Sequence, residues 1–372
     1  MSLFWIQNSV KLHARRLDSS ALTLVFGYCR ICVWYFLVFT EESFSFPIRV
    51  GAKQDICGIF FATPQSLLGI ENFIKFLRFN MAQVVTTLQQ WYTYAMDNAD
   101  PRAKDWPLTG SPFPMLTIIA SYLYFVKIFG PAYMKDRKPF QINGIIVAYN
   151  LLMVVLSALF FFYGGSKTYL FGKYNLMCEP VNYSTDPESM LLVKIGWWYL
   201  MLKIAEFADT IFFVLRKKFN HISTLHVVHH ASVAWGVWIG LKFGPGGHNA
   251  FFPFINCFIH MIMYSYYCLA ALGPQMQKYL WWKKYLTQMQ MIQFIIATIH
   301  ATIPIFYDCG FQPVFAYIII FHAVLFLGMF YNFYRKTYTE QIRMKNKSRQ
   351  FLEEMKKKED QNGVQENGKK VD

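Results

Sequence analysis

The feature that most constrains this chain is a series of seven apolar spans, at 114–133, 143–163, 190–215, 222–243, 249–272, 285–303 and 313–334. Each approaches the ~20 residues that a helix needs to cross a bilayer, and none alternates apolar and polar residues as a membrane strand does. Only helices and closed barrels satisfy the backbone in hydrocarbon. The predicted fold is therefore an all-α polytopic membrane protein with seven transmembrane helices. Composition agrees: 55% of the 372 residues are hydrophobic and 16% charged, too few charges to cover a water-soluble surface. The same balance excludes disordered, collagenous and disulfide-scaffold classes.

Loop charges set the orientation. After spans one, three and five stand Lys135, Arg137, Lys138, Arg216, Lys217, Lys218, Lys278, Lys283 and Lys284, nine basic residues against Lys167, Lys173 and Lys242 in the alternate loops. The richer side is expected in the cytosol. That places the C-terminal tail there too, with Arg335, Lys336 and Lys356 to Lys358. The ending Lys369-Lys370-Val371-Asp372 then reads as a dilysine retrieval signal, and the location as the endoplasmic reticulum membrane. The formal net charge of +14 suits loops facing anionic lipid or an anionic substrate; no basic stripe on a polar scaffold points to nucleic acid. On the lumenal side Asn182-Tyr183-Ser184 is a glycosylation sequon. Cys178 and Cys309 also fall there, where disulfides persist; they are expected to pair, the alternative being two free thiols.

Residues 81–340 read as the helical domain, 341–372 as a basic cytosolic tail, and 1–80 as an extension. Arg15 and Arg16 precede an apolar stretch from Ala21 to Phe39 that Arg30 interrupts, a signal-like or anchoring pattern. Met81 opens a stretch that reads as a start, which leaves 1–80 equally readable as a non-native segment.

Ionisable groups within a membrane are costly, so each is a site hypothesis. Span three carries Lys203, Glu206, Asp209 and Thr210 on about a third of the helix circumference. Span four carries His226, His229 and His230, spaced i, i+3, i+4 on one face. Span five carries Asn256, His260, Met263, Tyr264, Tyr266 and Tyr267, and span six carries Thr287, Gln290 and Gln293. At ~1.5 Å per residue, all these groups lie roughly 6–18 Å from the cytosolic ends of their helices. The lumenal halves are apolar. The shape expected is an apolar tunnel closed at the lumenal side, beneath a polar chamber open to the cytosol. His300 and His322 read as packing residues. Gln290 and Gln293 suit interhelical hydrogen bonding as well as substrate contact.

A histidine box in lipid has two chemical readings. Membrane diiron oxygenases need several boxes, whereas here nine histidines supply only one box with paired spacing; a mononuclear zinc site on His226, His230 and Asp209 is the weaker metal variant. No metal is expected, and a metal-dependent lipid desaturase or hydroxylase is the rival enzyme. The other reading is nucleophilic and acid–base catalysis: desolvation favours neutral imidazole, a competent nucleophile toward a thioester. Cys257 is the rival nucleophile, though a small apolar Cys in a membrane helix suits the core. A seven-helix transporter or receptor would need polar groups reaching both faces.

The stretches Lys203-Ile-Ala-Glu206-Phe-Ala-Asp209-Thr210, His226-Val-Val-His229-His230, His260-Met-Ile-Met263-Tyr264-Ser-Tyr266-Tyr267 and Thr287-Gln-Met-Gln290-Met-Ile-Gln293 resemble the four signature motifs of the ELO family, the very-long-chain fatty acid elongases of the endoplasmic reticulum. The resemblance covers about residues 81–340. Gly240-Leu-Lys-Phe-Gly-Pro-Gly-Gly247 and Tyr279-Leu-Trp-Trp-Lys-Lys284 are further similar to the subgroup acting on saturated and monounsaturated chains. It implies condensation of a long-chain acyl-CoA with malonyl-CoA to 3-oxoacyl-CoA, carbon dioxide and CoA, with no bound cofactor. It also implies partners in a four-step cycle, a 3-oxoacyl-CoA reductase, a dehydratase and an enoyl reductase; assembly as a homo-oligomer stays open. On this reading His229 attacks the thioester, His260 orients the reacting groups, and His226 and His230 serve as partners or bases. Glu206 and Asp209 fix imidazole tautomers. Lys203, Arg216 and Lys283 are candidates for CoA phosphates or the malonyl carboxylate. Asn256, Tyr266 and Gln290 are candidates for hydrogen bonds to an enolate oxygen, and Tyr264, Tyr267, Thr287 and Gln293 for substrate contact.

Overall fold

The computed structural model describes residues 64–355 other than 341 and 345, with side chains from residue 81 onward. The N-terminal apolar stretch and the dilysine ending lie outside the described residues. The chain divides between Asn98 and Ala99 into two units. In the first, the described structure is one helix, α1 (Pro64–Asp97), which runs through position 81. The backbone N–H and the side-chain amide of Asn98 both donate to the Tyr94 carbonyl, closing its last turn.

The second unit holds the predicted spans. Its helices are α2 (Pro112–Met134), α3 (Asn143–Lys167), α4 (Pro187–Ala205), α5 (Phe207–Leu215), α6 (Thr224–Phe243), α7 (Phe251–Ala271), α8 (Lys283–Phe306) and α9 (Pro313–Tyr334). No strand occurs among the described residues. Five helical stretches are long and apolar enough to cross a membrane: α2, α3, Gly247–Ala271, α8 and Pro313–Met355. The chain is thus an all-helical, multi-pass membrane protein. The α4–α5 pair and α6 are helical as expected but less apolar, because they carry Lys194, Lys203, Glu206 and Asp209 in one case and three histidines in the other.

Local signals place the helix starts. Pro112, Pro187 and Pro313 stand in first turns, where a missing N–H costs nothing. The Asp186 carboxylate caps α4 by accepting from the Glu188 and Ser189 N–H groups, and Ser223 Oγ caps α6 at the His226 N–H. One expectation is corrected: span three is not one helix. A turn at Glu206 separates α4 from α5, and Asp209 N–H reaches back only to the Glu206 carbonyl, at 3.2 Å. Neither Gly nor Pro marks the break; the Glu206 side chain is drawn into interior contacts there.

Packing follows the hydrophobic faces. α3 lies along α7, α8 along α9, and α6 against α4, α9 and α2. Gly130 permits the α2–α5 crossing, since a Cβ there would stand 2.6 Å from Val214. At one end of the helices Cys178 and Cys309 are disulfide-bonded, 131 residues apart in sequence. Gly247 (φ +55°) lies so close to the Pro180–Val181 backbone that a Cβ would stand at 2.9 Å. Asn182 is exposed at this end. Its carbonyl and that of Ser184 accept from Arg102, whose guanidinium is paired with buried Asp100 at 2.6 Å. Hydrogen bonds from Ser184 and Ser189 hold the Asp186 carboxyl well below its usual pKa.

Candidate active site

Polar side chains of spans three, four and five converge on one carboxylate. Glu206, 1% exposed, lies 2.6 Å from Lys203 Nζ through Oε1, 3.1 Å from His260 Nδ1 through the same oxygen, and 4.0 Å from His230 Nδ1 through Oε2. The His260 Nδ1 is close to the carboxylate but not aligned for a hydrogen bond, and the His230 Nδ1 stands beyond hydrogen-bond distance. Lys203 also donates to Asn256 Oδ1 at 2.8 Å, and Tyr199 OH donates to the same oxygen at 2.9 Å. Glu206 stands at the turn between α4 and α5.

A second knot adjoins the first. Tyr264 OH donates to Asp209 Oδ2 at 2.7 Å, and Thr210 Oγ1 sits 2.9 Å from both His226 Nε2 and Tyr122 OH. The rings of His226 and His230 lie 4.4 Å apart. His229 contacts His230 and, from α9, the ring of Phe326 at 4.9 Å. No polar partner engages it among the described residues.

These groups wall a polar cavity of about 570 Å³. His226, His229, His230, His260, Asp209, Asn256, Tyr266, Tyr267, Thr287, Gln290 and Gln293 all line it, with Arg216 and Lys283 among the lining residues. Gln290 Nε2 rests on Met263 Sδ at 3.3 Å, and Gln293 Nε2 has no partner. Among the lining residues, exposed His221 has a pKa below its usual value, because partial burial and the cations Lys283, Lys218 and Arg216 disfavour imidazolium.

Two expected roles are corrected by these contacts. Lys203 is not free for a phosphate or carboxylate of a ligand; it is 2% exposed and spent on Glu206 and Asn256. Asp209 does not hold an imidazole, its carboxylate accepting from Tyr264; among the acidic side chains of the described residues Glu206 is the one near histidines. Tyr264, fully buried, stands behind the cavity wall. Three polar residues that sequence reasoning passed over also matter: Tyr199, Asn150 and His221, of which the last two line the cavity. The signal for Asn150 was its position as a primary amide within an otherwise apolar span.

An apolar cavity of about 190 Å³ lies toward the disulfide end, lined by Gly236, Cys257, His322 and Phe326 among others and ended by the loop from Gly244 to Ala250. Phe294 lines both cavities. Cys257 therefore faces the apolar space rather than the imidazoles. His322 Nδ1 donates to its own helix at Ile318, and His300 is stacked between His248 and Phe251 at 3.8 Å from each, as packing residues are. Among the described residues no group of three or more His, Cys, Asp or Glu side chains is gathered as a metal-ligand set.

The fold and site define a helical multi-pass membrane protein built around a buried His–Glu–Lys centre. Residues 107–348 match the family described as ELO: GNS1/SUR4 family, and the chain belongs to it. Among curated relatives, a very long chain fatty acid elongase of Aedes aegypti is 47% identical over 69% of this chain and 72% of its own length. Very long chain fatty acid elongase 7 of Drosophila melanogaster is 49% identical over 66% and 75%. Very long chain fatty acid elongase 1 of Homo sapiens is 41% identical over 68% and 91%.

Proposed function

We propose that this protein condenses a long-chain acyl-CoA with malonyl-CoA to give 3-oxoacyl-CoA, carbon dioxide and free CoA, the first step of very-long-chain fatty acid elongation. The observation that carries the reading is the meeting of imidazoles from α6 and α7 around Glu206, on the wall of a polar cavity that adjoins an apolar one through Phe294. The relatives named as elongases support it. The acyl chain occupies the apolar cavity, which extends as a tunnel closed at the lumenal side. CoA lies toward Arg216 and Lys283. Seven helices cross the endoplasmic reticulum membrane with the C-terminus cytosolic, and Asn182 is glycosylated in the lumen. The acting domain is 81–340, and the partners are the reductase, dehydratase and enoyl reductase that complete the cycle.

Chemistry follows from what each group has left to offer. His229, whose nitrogens have no protein partner, attacks the thioester carbonyl; the C–S bond breaks, and CoA leaves as the thiol after taking a proton. The acyl-imidazole then meets malonyl-CoA, which loses carbon dioxide and leaves its electron pair as an enolate. The enolate carbon attacks the acyl carbon and returns the C–N electron pair to His229. His260, held by Glu206, orients the reacting groups, and His226 and His230 serve as proton partners. Purified protein given labelled malonyl-CoA and a panel of acyl-CoAs is expected to yield 3-oxoacyl-CoA two carbons longer, and a trapped acyl group is expected on His229. No chain lengthening, or an adduct on Cys257, overturns the reading.

A further inference from the structure

Asn150 belongs to none of the motifs around the imidazoles, yet it is the polar residue that α3 places on the wall of the polar cavity. It is 3% exposed, within a helix that otherwise reads Ile-Val-Ala-Tyr before it and Leu-Leu-Met-Val after it. A primary amide carries two donors and an acceptor. In a membrane helix a neighbouring helix normally hydrogen-bonds such a group. No hydrogen bond engages the Asn150 side chain among the described residues, although the adjacent Tyr149 packs its ring on Tyr264 at 6.2 Å. The amide faces the polar cavity. Its helix packs on α7, whereas α6 packs on α4, α9 and α2. Asn150 therefore reaches the cavity from a different wall than His226, His229 and His230.

The sequence had suggested Asn256, Tyr266 and Gln290 as donors for a developing oxyanion, and all three line the cavity; Asn256 is fixed through its oxygen by Lys203 and Tyr199, Gln290 rests on a thioether, and Asn150 adds an uncommitted amide from the α3 wall. We propose that the Asn150 side-chain N–H binds the thioester carbonyl oxygen of the malonyl unit and stabilises the enolate formed there when the carboxylate leaves. This rests on the condensation reading above. In that step the C–C bond to the carboxylate breaks, its electron pair moves onto the thioester oxygen that Asn150 donates to, and carbon dioxide departs. The pair then returns to form the new C–C bond. Loss of one oxyanion donor costs on the order of 10²–10³ in kcat. The first half-reaction, acyl transfer to the enzyme with release of CoA, does not involve that oxygen.

The test measures the two halves separately in Asn150→Ala and Asn150→Ser. Acyl-CoA alone reports a burst of CoA; added malonyl-CoA reports 3-oxoacyl product. Expected in both variants are a burst within about threefold of wild type, a kcat for condensation lowered about 100-fold or more, and a KM for malonyl-CoA moved less than about threefold. A burst slowed as much as condensation, or condensation left unchanged, overturns the assignment. If the Ala variant fails to fold, the Ser variant carries the test, because it leaves little void and still lacks the amide reach. Wild type that forms no 3-oxoacyl product at all sinks the condensation reading instead, which separates the two failures.

Discussion

Lys203 and Glu206 offer the sharpest energetic test. Both side chains are 2% exposed, so each charge is stable in place only because of the other. Replacing Glu206 with Leu leaves the Lys203 ammonium with the neutral Asn256 oxygen alone, at 2.8 Å. Breaking a buried pair from one side costs about 3–5 kcal/mol, whereas replacing both members with apolar residues is often neutral. At ~2–4 °C per kcal/mol the single variants Glu206→Leu and Lys203→Leu should each lose about 6–20 °C of thermal midpoint. The double variant should recover most of that loss, a coupling well beyond the ~0.5 kcal/mol at which independent sites add. The assay is thermal unfolding in detergent, followed by size-exclusion recovery. Activity should separate from stability: the double variant regains its midpoint but stays inactive, because His260 has lost the carboxylate 3.1 Å away. Additive midpoints would refute the pairing argument, and an active double variant would refute the role given to Glu206.

Reduction of the Cys178–Cys309 disulfide, or Cys178→Ser, should lower stability by about 2–5 kcal/mol, since the bond closes a long loop; non-reducing gels with thiol labelling check the bond and thermal scans check the cost. His221 has a folded-state pKa below its usual ~6.5, so the unfolded chain takes up this proton first as pH falls. The stability owed to neutral His221 is therefore present above pH ~6.5 and lost below it. Free CoA seated among Lys283, Lys218 and Arg216 should raise that pKa, which ring-proton NMR of a selectively labelled sample reads directly; a downward move on adding CoA contradicts the placement. Gly247→Ala should destabilise by about 1–3 kcal/mol through its positive φ and the 2.9 Å clash with Pro180 and Val181, measurable as a lower unfolding midpoint.

The imidazole layer was legible because its code is local. Three histidines at i, i+3, i+4 occupy one helix face whatever surrounds them, and their presence in hydrocarbon demands a purpose. The partners were not legible, because they depend on which helices adjoin. Lys203 and Glu206 are spaced i, i+3, a spacing that serves an ion pair as well as two ligands to substrate, and nothing along the chain chooses between them. Asp209 looked like a histidine partner until Tyr264, 55 residues away, was seen to take it. The break at Glu206 left no trace because neither Gly nor Pro stands there. Asn150 was hidden for the opposite reason: a single polar residue has no periodicity, and only its place on the cavity wall reveals it.

The proposed acyl site makes a prediction about chain length. Phe326 belongs to the apolar cavity while its ring touches His229, which belongs to the polar one. On the proposed reading an acyl chain running from one space to the other passes beside His229, and depth below it measures carbon number. Gly236 lies seven residues past His229 on α6, about 10 Å further along the helix axis. A Cβ on Gly236 would stand 3.9 Å from His322 Nε2, ordinary contact distance, so alanine fits and a larger side chain fills the lumen. Gly236→Ala should leave both fold and products nearly unchanged. Gly236→Leu should keep the CoA burst with acyl chains short enough to stop above it and lose activity toward longer ones. A panel of acyl-CoAs of increasing length, read by mass spectrometry of the products, checks this directly. If the leucine variant lowers all chain lengths equally, the apolar cavity is not where the chain lies; if it changes none, Gly236 does not face the chain.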